Sequence, residues 1–493
     1  MSLSKIIHSI KNVPARLWKA FLEHPYSYVL LLAAYIGIHL HFYGLGGTFD
    51  DYDYGFWQML DIELLRTRLL ESLWYLHIQP PLFNLFLGLV EQGSFGCAKI
   101  VYPVFYLLLG VVSAIALFRL LLRFRIRAWI ALSVTCGCFI SPSWLLYENW
   151  LMYTFPIMAL LLFIALRFHA YVQIQKTRDG VILFLLMMLM AYLRSIFHYV
   201  WFLAAVCILW TYFNGKRKSL LLAASIPFLL IMALYAKNAI VFGEWTTSTW
   251  LGPNLNMMTA AIPISIKRDY LLQGKITPIS VEYPFSPVGY YQKFITHKTW
   301  GVPALDRKEK SNGDINFNHG DFVEINHRYR KEALTLIAAS PCDYWILVKR
   351  NWRRYCHPAW NYEFFIRQSP VYKNYLLALD QWLFGWKEAD FSQSTYKTKT
   401  SPQGTFLCWA LPILILFWPV LMAAPEKYSR LSPADRATLT YCMFTLLLVT
   451  FAALFFVNNE NFRIRFTLTP YYALLLGLLL DRGMGYFSQR RRN

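Results

Sequence analysis

A chain of 493 residues that is 57% hydrophobic, 18% aromatic and only 15% charged holds more apolar surface than a water-soluble domain of its size can hide. That composition excludes an ordinary soluble enzyme and points to an α-helical polytopic membrane protein. The formal net charge of +20 does not demand a nucleic-acid partner, because basic residues beside membrane spans are explained by contact with anionic lipid headgroups.

In chain order, a basic, amphipathic start (Lys5, Lys11, Arg16, Lys19) leads into an apolar run near 27–45, long enough to stay in the membrane as an uncleaved anchor. A loop over 46–100 follows. It opens with the acidic run TFDDYDYGFW, where Thr48 and Asp51 fit a capping box for a helix near Tyr52. Its pieces 53–73 and 81–91 read as interfacial helices. Between them, WYLHIQPPLFNLFLGLV (74–90) places His77, Gln79, Pro80 and Pro81 at the mouth of an apolar run. Prolines suit a first helical turn, where missing N–H groups go unnoticed, so the pair would hold His77 and Gln79 at the rim of a cleft.

Further spans fall near 101–122, 128–147, 150–171, 180–196, 197–213 and 219–241, then near 405–424, 437–457 and 466–480, about ten in all. Residues 242–404 are long enough for a smaller extracytoplasmic domain with an amphipathic helix at DFVEINHRYRKEALTLIAAS. The chain thus divides into 1–241, 242–404 and 405–493, with no internal repeat to suggest an inverted-repeat transporter.

With both termini cytoplasmic, the inner segments hold 21 Lys and Arg and the short outer segments only 7. On that topology the outer turns gather the costly groups: Asp50, Asp51 and Asp53 after the first span, His77 and Gln79 in the same loop, Glu148 between spans three and four, Arg194 between five and six, Lys237 at the end of seven, and Glu460, Arg463 and Arg465 between nine and ten. Ionisable groups at membrane depth are functional candidates, although a cap for the aspartates, a solvated turn for Glu148 and snorkelling for Arg194 and Lys237 are plainer readings of each.

Carboxylates opposite cations at one membrane face suit group transfer from a lipid phosphate. A carboxylate takes the proton of an acceptor hydroxyl, and cations stabilise the departing phosphate. No metal is required, though the Asp51–Asp53 spacing would permit a divalent one. A transporter or lipid flippase, a lipid-carrier-dependent ligase and an accessory structural subunit are the competing readings; charges gathered at one side argue against transport.

HIQPPLFN resembles the His-x-Pro-Pro-Leu stretch of the GT-C class of glycosyltransferases, especially the family 39 group that includes protein O-mannosyltransferases and the lipid A aminoarabinose transferase. FDDYDYGFW after span one, AYLRSIFH after span five and NENFRIRFTLTPYY near the C-terminus look like that class in order, over roughly 27–240 and 405–480. The resemblance implies a GT-C-like bundle and an inverting transfer from a polyprenyl-phosphate sugar to a lipid, glycan or protein acceptor. It implies Asp51 or Asp53, beside Asp50, as the base, and His77, Arg194, Arg463 and Arg465 as phosphate or substrate contacts, with Glu148 and Glu460 orienting sugar or cations; Gln79 and Lys237 join the contacts by their place in the outer turns. The chain departs from the pattern in two places. Family 39 usually has an Asp-Glu pair where this chain has Asp50-Asp51 and Asp53, and here Ile-Gln separates the histidine from Pro-Pro.

Cys342 and Cys356 share the long outer segment and would pair only if the fold brings them together. No His and Cys spacing resembles a zinc site. The lack of any Asn-x-Ser/Thr sequon favours a bacterial inner membrane over the endoplasmic reticulum.

Overall fold

The computed structural model describes residues 23–51, 54–213, 215–357, 406–425 and 430–490. Among the described residues every regular element is a helix, and β pairing is limited to two isolated bridges. Five helices are long and apolar enough to cross a membrane: Pro25–Gly44, Ala98–Arg123, Thr154–Ile174, Arg217–Phe242 and Pro433–Phe456. Two bent pairs, Ala128–Ile140 with Pro142–Glu148 (60°) and Asn461–Thr467 with Thr469–Met484 (63°), bring the number to as many as seven. Tyr199–Tyr212 and Cys408–Ala423 are apolar but shorter, and Thr177–Leu193 has 17 residues. The protein is a polytopic helical membrane protein, with helices where the ten spans were predicted.

The bends have local causes. Ser141 takes an extended conformation and its side chain accepts from the Trp144 N–H, which starts a new helix. Pro142 follows at the first helical position and has no N–H to continue the old one. Ser432 and Asp435 form a capping box that starts Pro433–Phe456. Gly243 ends Arg217–Phe242 in the left-handed region.

Thr154–Ile174 is the central helix, with most of its side chains buried. Leu30, Ile36, Leu108, Leu222, Ile226, Leu229 and Leu416 stay bare on peripheral helices, as a lipid-facing surface requires. Gly110 permits a close approach: a Cβ there would run into the Tyr35 hydroxyl and the Glu148 carboxylate.

The two ends of the bundle differ. At the basic end Arg127 pairs with Asp481 (2.8 Å), and Asp435 pairs with His169 (2.8 Å) and Arg125 (3.8 Å). The loop-rich end carries the first long loop and residues 243–357. In the first loop the predicted single helix over 53–73 is two short ones, Ile62–Thr67 and Leu69–Trp74. Asp61 caps the first, and Arg68 breaks the run with φ near −139°. Tyr52 and Asp53 lie outside the described residues. Leu82–Gly93 matches the second predicted piece, but Pro81 serves as its N-cap instead of entering the first turn. Asp321–Ala339 is the expected amphipathic helix.

Cys342 and Cys356 cannot pair, because Cys342 lies in the first turn of the helix Pro341–Tyr355 and Cys356 caps its far end. At about 1.5 Å per residue their Cα atoms are roughly 21 Å apart, against about 7 Å at most for a disulfide.

Candidate functional site

The first loop is laid along the turn that precedes the central helix. Asp50 forms a parallel bridge with Trp150: its N–H donates to Asn149 O (2.8 Å) and its carbonyl accepts from Leu151 N (2.8 Å). From there the chain reaches Phe56, whose ring lies edge-on to Trp150 at 5.8 Å, and then Gln58. The backbone carbonyl of Gln58 accepts from the Gln79 side chain and from Asn84 Nδ2 (3.3 Å), and Asn84 Oδ1 in turn accepts from Leu60 N (2.8 Å). Buried Lys310 donates to the Phe56 carbonyl (2.9 Å), and burial draws its pKa down to about 8. The acidic loop is therefore held from both sides.

Against this floor the structure brings together Arg194 and Arg463. The Arg194 guanidinium donates to Gln58 Oε1 (3.3 Å) and to the Tyr153 hydroxyl, which itself donates to Gln58 Oε1. It stands 5.0 Å from the Tyr153 ring centre, and Arg463 stands 5.7 Å from the same ring and 5.8 Å from that of Phe56. Glu460, at the N-cap of Asn461–Thr467, accepts from the Arg463 guanidinium. Asn461 Nδ2 donates to Val457 O (2.9 Å), fixing that short helix to the end of Pro433–Phe456. Tyr153, Thr154, Arg194, Phe197, Arg463 and Thr467 are among the residues lining a narrow cleft with room for about one water molecule. A guanidinium offers several N–H donors, the kind an anion with several oxygens accepts from; Arg463 already gives one to Glu460.

Other predicted residues lie elsewhere. His77 is fully buried: Nδ1 faces Thr249 Oγ1 (2.9 Å) and Nε2 faces Asn318 O (3.2 Å). Its N–H donates to Asn318 Oδ1 (3.0 Å), its carbonyl accepts from Thr249 N (2.9 Å), and Thr249 Oγ1 accepts from Asn326 Nδ2 (3.1 Å). Burial draws the His77 pKa down to about 3, so the ring is neutral and both nitrogens are in use. It joins the first loop to residues 243–357 instead of forming the rim of a cleft. Gln79 is likewise buried beneath the loop. Lys237 donates to Leu76 O (2.8 Å) with its ammonium 5.4 Å from the Phe242 ring centre, so it braces the same junction.

Glu148 is buried inside the bundle, where it accepts from the Tyr35 hydroxyl and lies 3.2 Å from His39 Nε2. Arg465 donates to His357 O (2.8 Å). The Asp51 carboxylate lies 3.8 Å from Lys99 Nζ, and Asp53 is outside the described residues. Neither Asp50 nor Asp51 belongs to a group of three potential metal ligands among the described residues.

Gln58, Tyr153, Phe56 and Lys310 were missed in the sequence. The two aromatics sit in segments rich in aromatics, Gln58 carries no charge, and Lys310 lies in RKEKSNGD, which reads as a solvated turn. A buried Glu91 was missed as well: Arg66 donates to it twice (2.9 and 2.7 Å), joined by the hydroxyls of Tyr54 (2.7 Å) and Tyr102 (3.1 Å).

No family model and no curated protein matches the chain. Among solved structures, the archaeal oligosaccharyltransferase AglB from Archaeoglobus fulgidus, in complex with an inhibitory peptide and a dolichol-phosphate, is similar at 14% identity and a TM-score of 0.39. The match covers 96% of this chain and 52% of that one, so the chain spans about half the length of the archaeal protein. A likeness at that level fixes neither substrate nor mechanism.

Proposed function

We propose that the chain is a membrane glycosyltransferase of GT-C type that moves a sugar from a polyprenyl-phosphate donor to a lipid, glycan or protein acceptor at the loop-rich end of the bundle. The observation that carries this reading is the placing of Arg194 and Arg463 about Tyr153, over a floor made by the acidic first loop. In the transfer, the acceptor oxygen bonds to the anomeric carbon as the bond from that carbon to the phosphate oxygen breaks. The electron pair leaves with the phosphate, whose added charge the two guanidiniums neutralise, and the acceptor proton passes to a first-loop carboxylate among Asp50, Asp51 and Asp53. Attack from the face opposite the phosphate inverts the configuration. Residues 243–357, locked onto the first loop through His77, would shape acceptor choice. The positive-inside balance favours an extracytoplasmic site in a bacterial inner membrane. The scheme needs no metal.

The test is a transfer assay on membranes with a panel of radiolabelled polyprenyl-phosphate sugars. Label should reach product with the wild type, and be lost in Arg194→Ala, in Arg463→Ala and in at least one of Asp50→Asn, Asp51→Asn and Asp53→Asn. Full transfer in all three Asp variants would remove the base, and undiminished transfer in both Arg variants would remove the phosphate site. A flippase would move lipid across vesicles and form no new glycosidic bond.

A further inference from the structure

We propose that His297, His319 and Asp321, in the 243–357 region, bind a divalent transition-metal ion, zinc foremost. Each offers one ligand atom, and the three atoms lie within 4.8 Å of one another. Asp321 Oδ2 is 2.9 Å from His297 Nδ1 and 3.8 Å from His319 Nδ1. Two ligands on a tetrahedral zinc with bonds of about 2.0–2.1 Å stand about 3.3 Å apart, and the two observed distances bracket that value.

The protonation pattern adds a second reason. The Asp321 backbone N–H donates to His319 Nδ1 (3.2 Å), which makes that nitrogen an acceptor. The other ring nitrogen, His319 Nε2, is buried without a hydrogen-bond partner, and Asp321 beside it is buried too. Imidazole with carboxylate is a zinc-type donor set. The third ligand comes from a more open position, since the His297 side chain is 47% exposed. Metal binding there would expel the His297 proton that now bonds to Asp321. Outer contacts already orient the carboxylate: Gln292 Nε2 donates to Oδ2 (3.2 Å), and Lys308, which would oppose a cation, is held on Gln292 Oε1 (3.1 Å).

The consequence is a brace. The ion would fasten the 292–300 segment to the start of Asp321–Ala339. His319 directly follows Asn318, the residue that grips His77. The exposed side leaves a coordination position for water.

The test uses the full chain, purified in detergent, stripped with chelator, equilibrated with zinc chloride and desalted. Elemental analysis should find about one zinc per chain, and Co²⁺ substitution should give the d–d absorption of a low-symmetry nitrogen–oxygen site. His297→Ala removes a half-exposed ligand with little risk to folding. It should weaken zinc binding ~10-fold or more and abolish the zinc-induced rise in melting temperature seen for the wild type. Asp321→Asn should behave alike. Wild type that keeps no zinc, or equal zinc in wild type and His297→Ala, would overturn the proposal; the second result would place the metal elsewhere, for instance on exposed Cys97, Cys207 or Cys342.

Discussion

His77 has both ring nitrogens occupied inside the protein, whereas half-buried Arg194 brings its charge to a tyrosine on the wall of a cleft; Arg463, beside the same ring, is buried and paired with Glu460. Both kinds of residue occur at the same end of the bundle, and both stood out in the sequence for the same reason. The difference lies in what surrounds them. A polar group closed in by its own partners stabilises the fold, while a cation that lines open space is offered to a ligand. Glu148 belongs with His77, since Tyr35 and His39 close it in.

The sharpest way to break this contrast is at Glu148. Glu148→Ala strips His39 and Tyr35 of their partner within the bundle and should cost about 3–5 kcal/mol, read as a fall in the thermal unfolding midpoint. His77→Ala should cost about 1–3 kcal/mol and loosen residues 243–357 from the first loop, seen as faster limited proteolysis there. Arg194→Ala should change stability by no more than about 1 kcal/mol. A large loss at Arg194 together with none at His77 would reverse the assignment.

The clamp is also sensitive to pH. Folded His77 titrates at about 3, below the value near 6.5 of an exposed histidine. Below pH 6.5 the unfolded chain binds the extra proton, so the stabilisation is complete above that pH and is lost as pH falls toward 3, at up to ~1.4 kcal/mol per pH unit. His319 and His357 are depressed in the same direction and add to the slope. His77→Gln should make the decline of unfolding free energy between pH 7 and 5 shallower; an unchanged slope would exclude His77 as a contributor. The smallest effect concerns Cys342 and Cys356. Reducing agent should leave the unfolding midpoint unaltered with respect to this pair, and a Cys342→Ser variant should match the wild type.

Much of the bundle was legible in the sequence because hydropathy and charge asymmetry act over whole spans: every predicted span has its helix. The turn of Arg194 and the NENFRIRF turn were legible as cation positions, and the fold places Arg194 and Arg463 beside the same tyrosine ring. Burial was not legible. HIQPP looks like a solvated lip, but Asn318 and Thr249, far along the chain, close over His77. The site's neutral members were hidden for the opposite reason, since Gln58 and Tyr153 gain meaning only from hydrogen bonds to Arg194. The single helix expected over 53–73 failed locally, at Asp61 and Arg68, where backbone angles override a continuous apolar pattern.

The central claim, that the cleft between Arg194 and Arg463 holds a donor phosphate, is tested most directly by initial rates of label transfer from a polyprenyl-phosphate sugar, at matched amounts of folded protein, for wild type, Arg194→Ala, Arg463→Ala and His77→Ala. The account predicts a loss of ~100-fold or more in each arginine variant and a smaller loss, of ~10-fold or less, for the histidine variant, which loosens residues 243–357 without touching the donor phosphate. Arginine variants that transfer label as fast as wild type would contradict it.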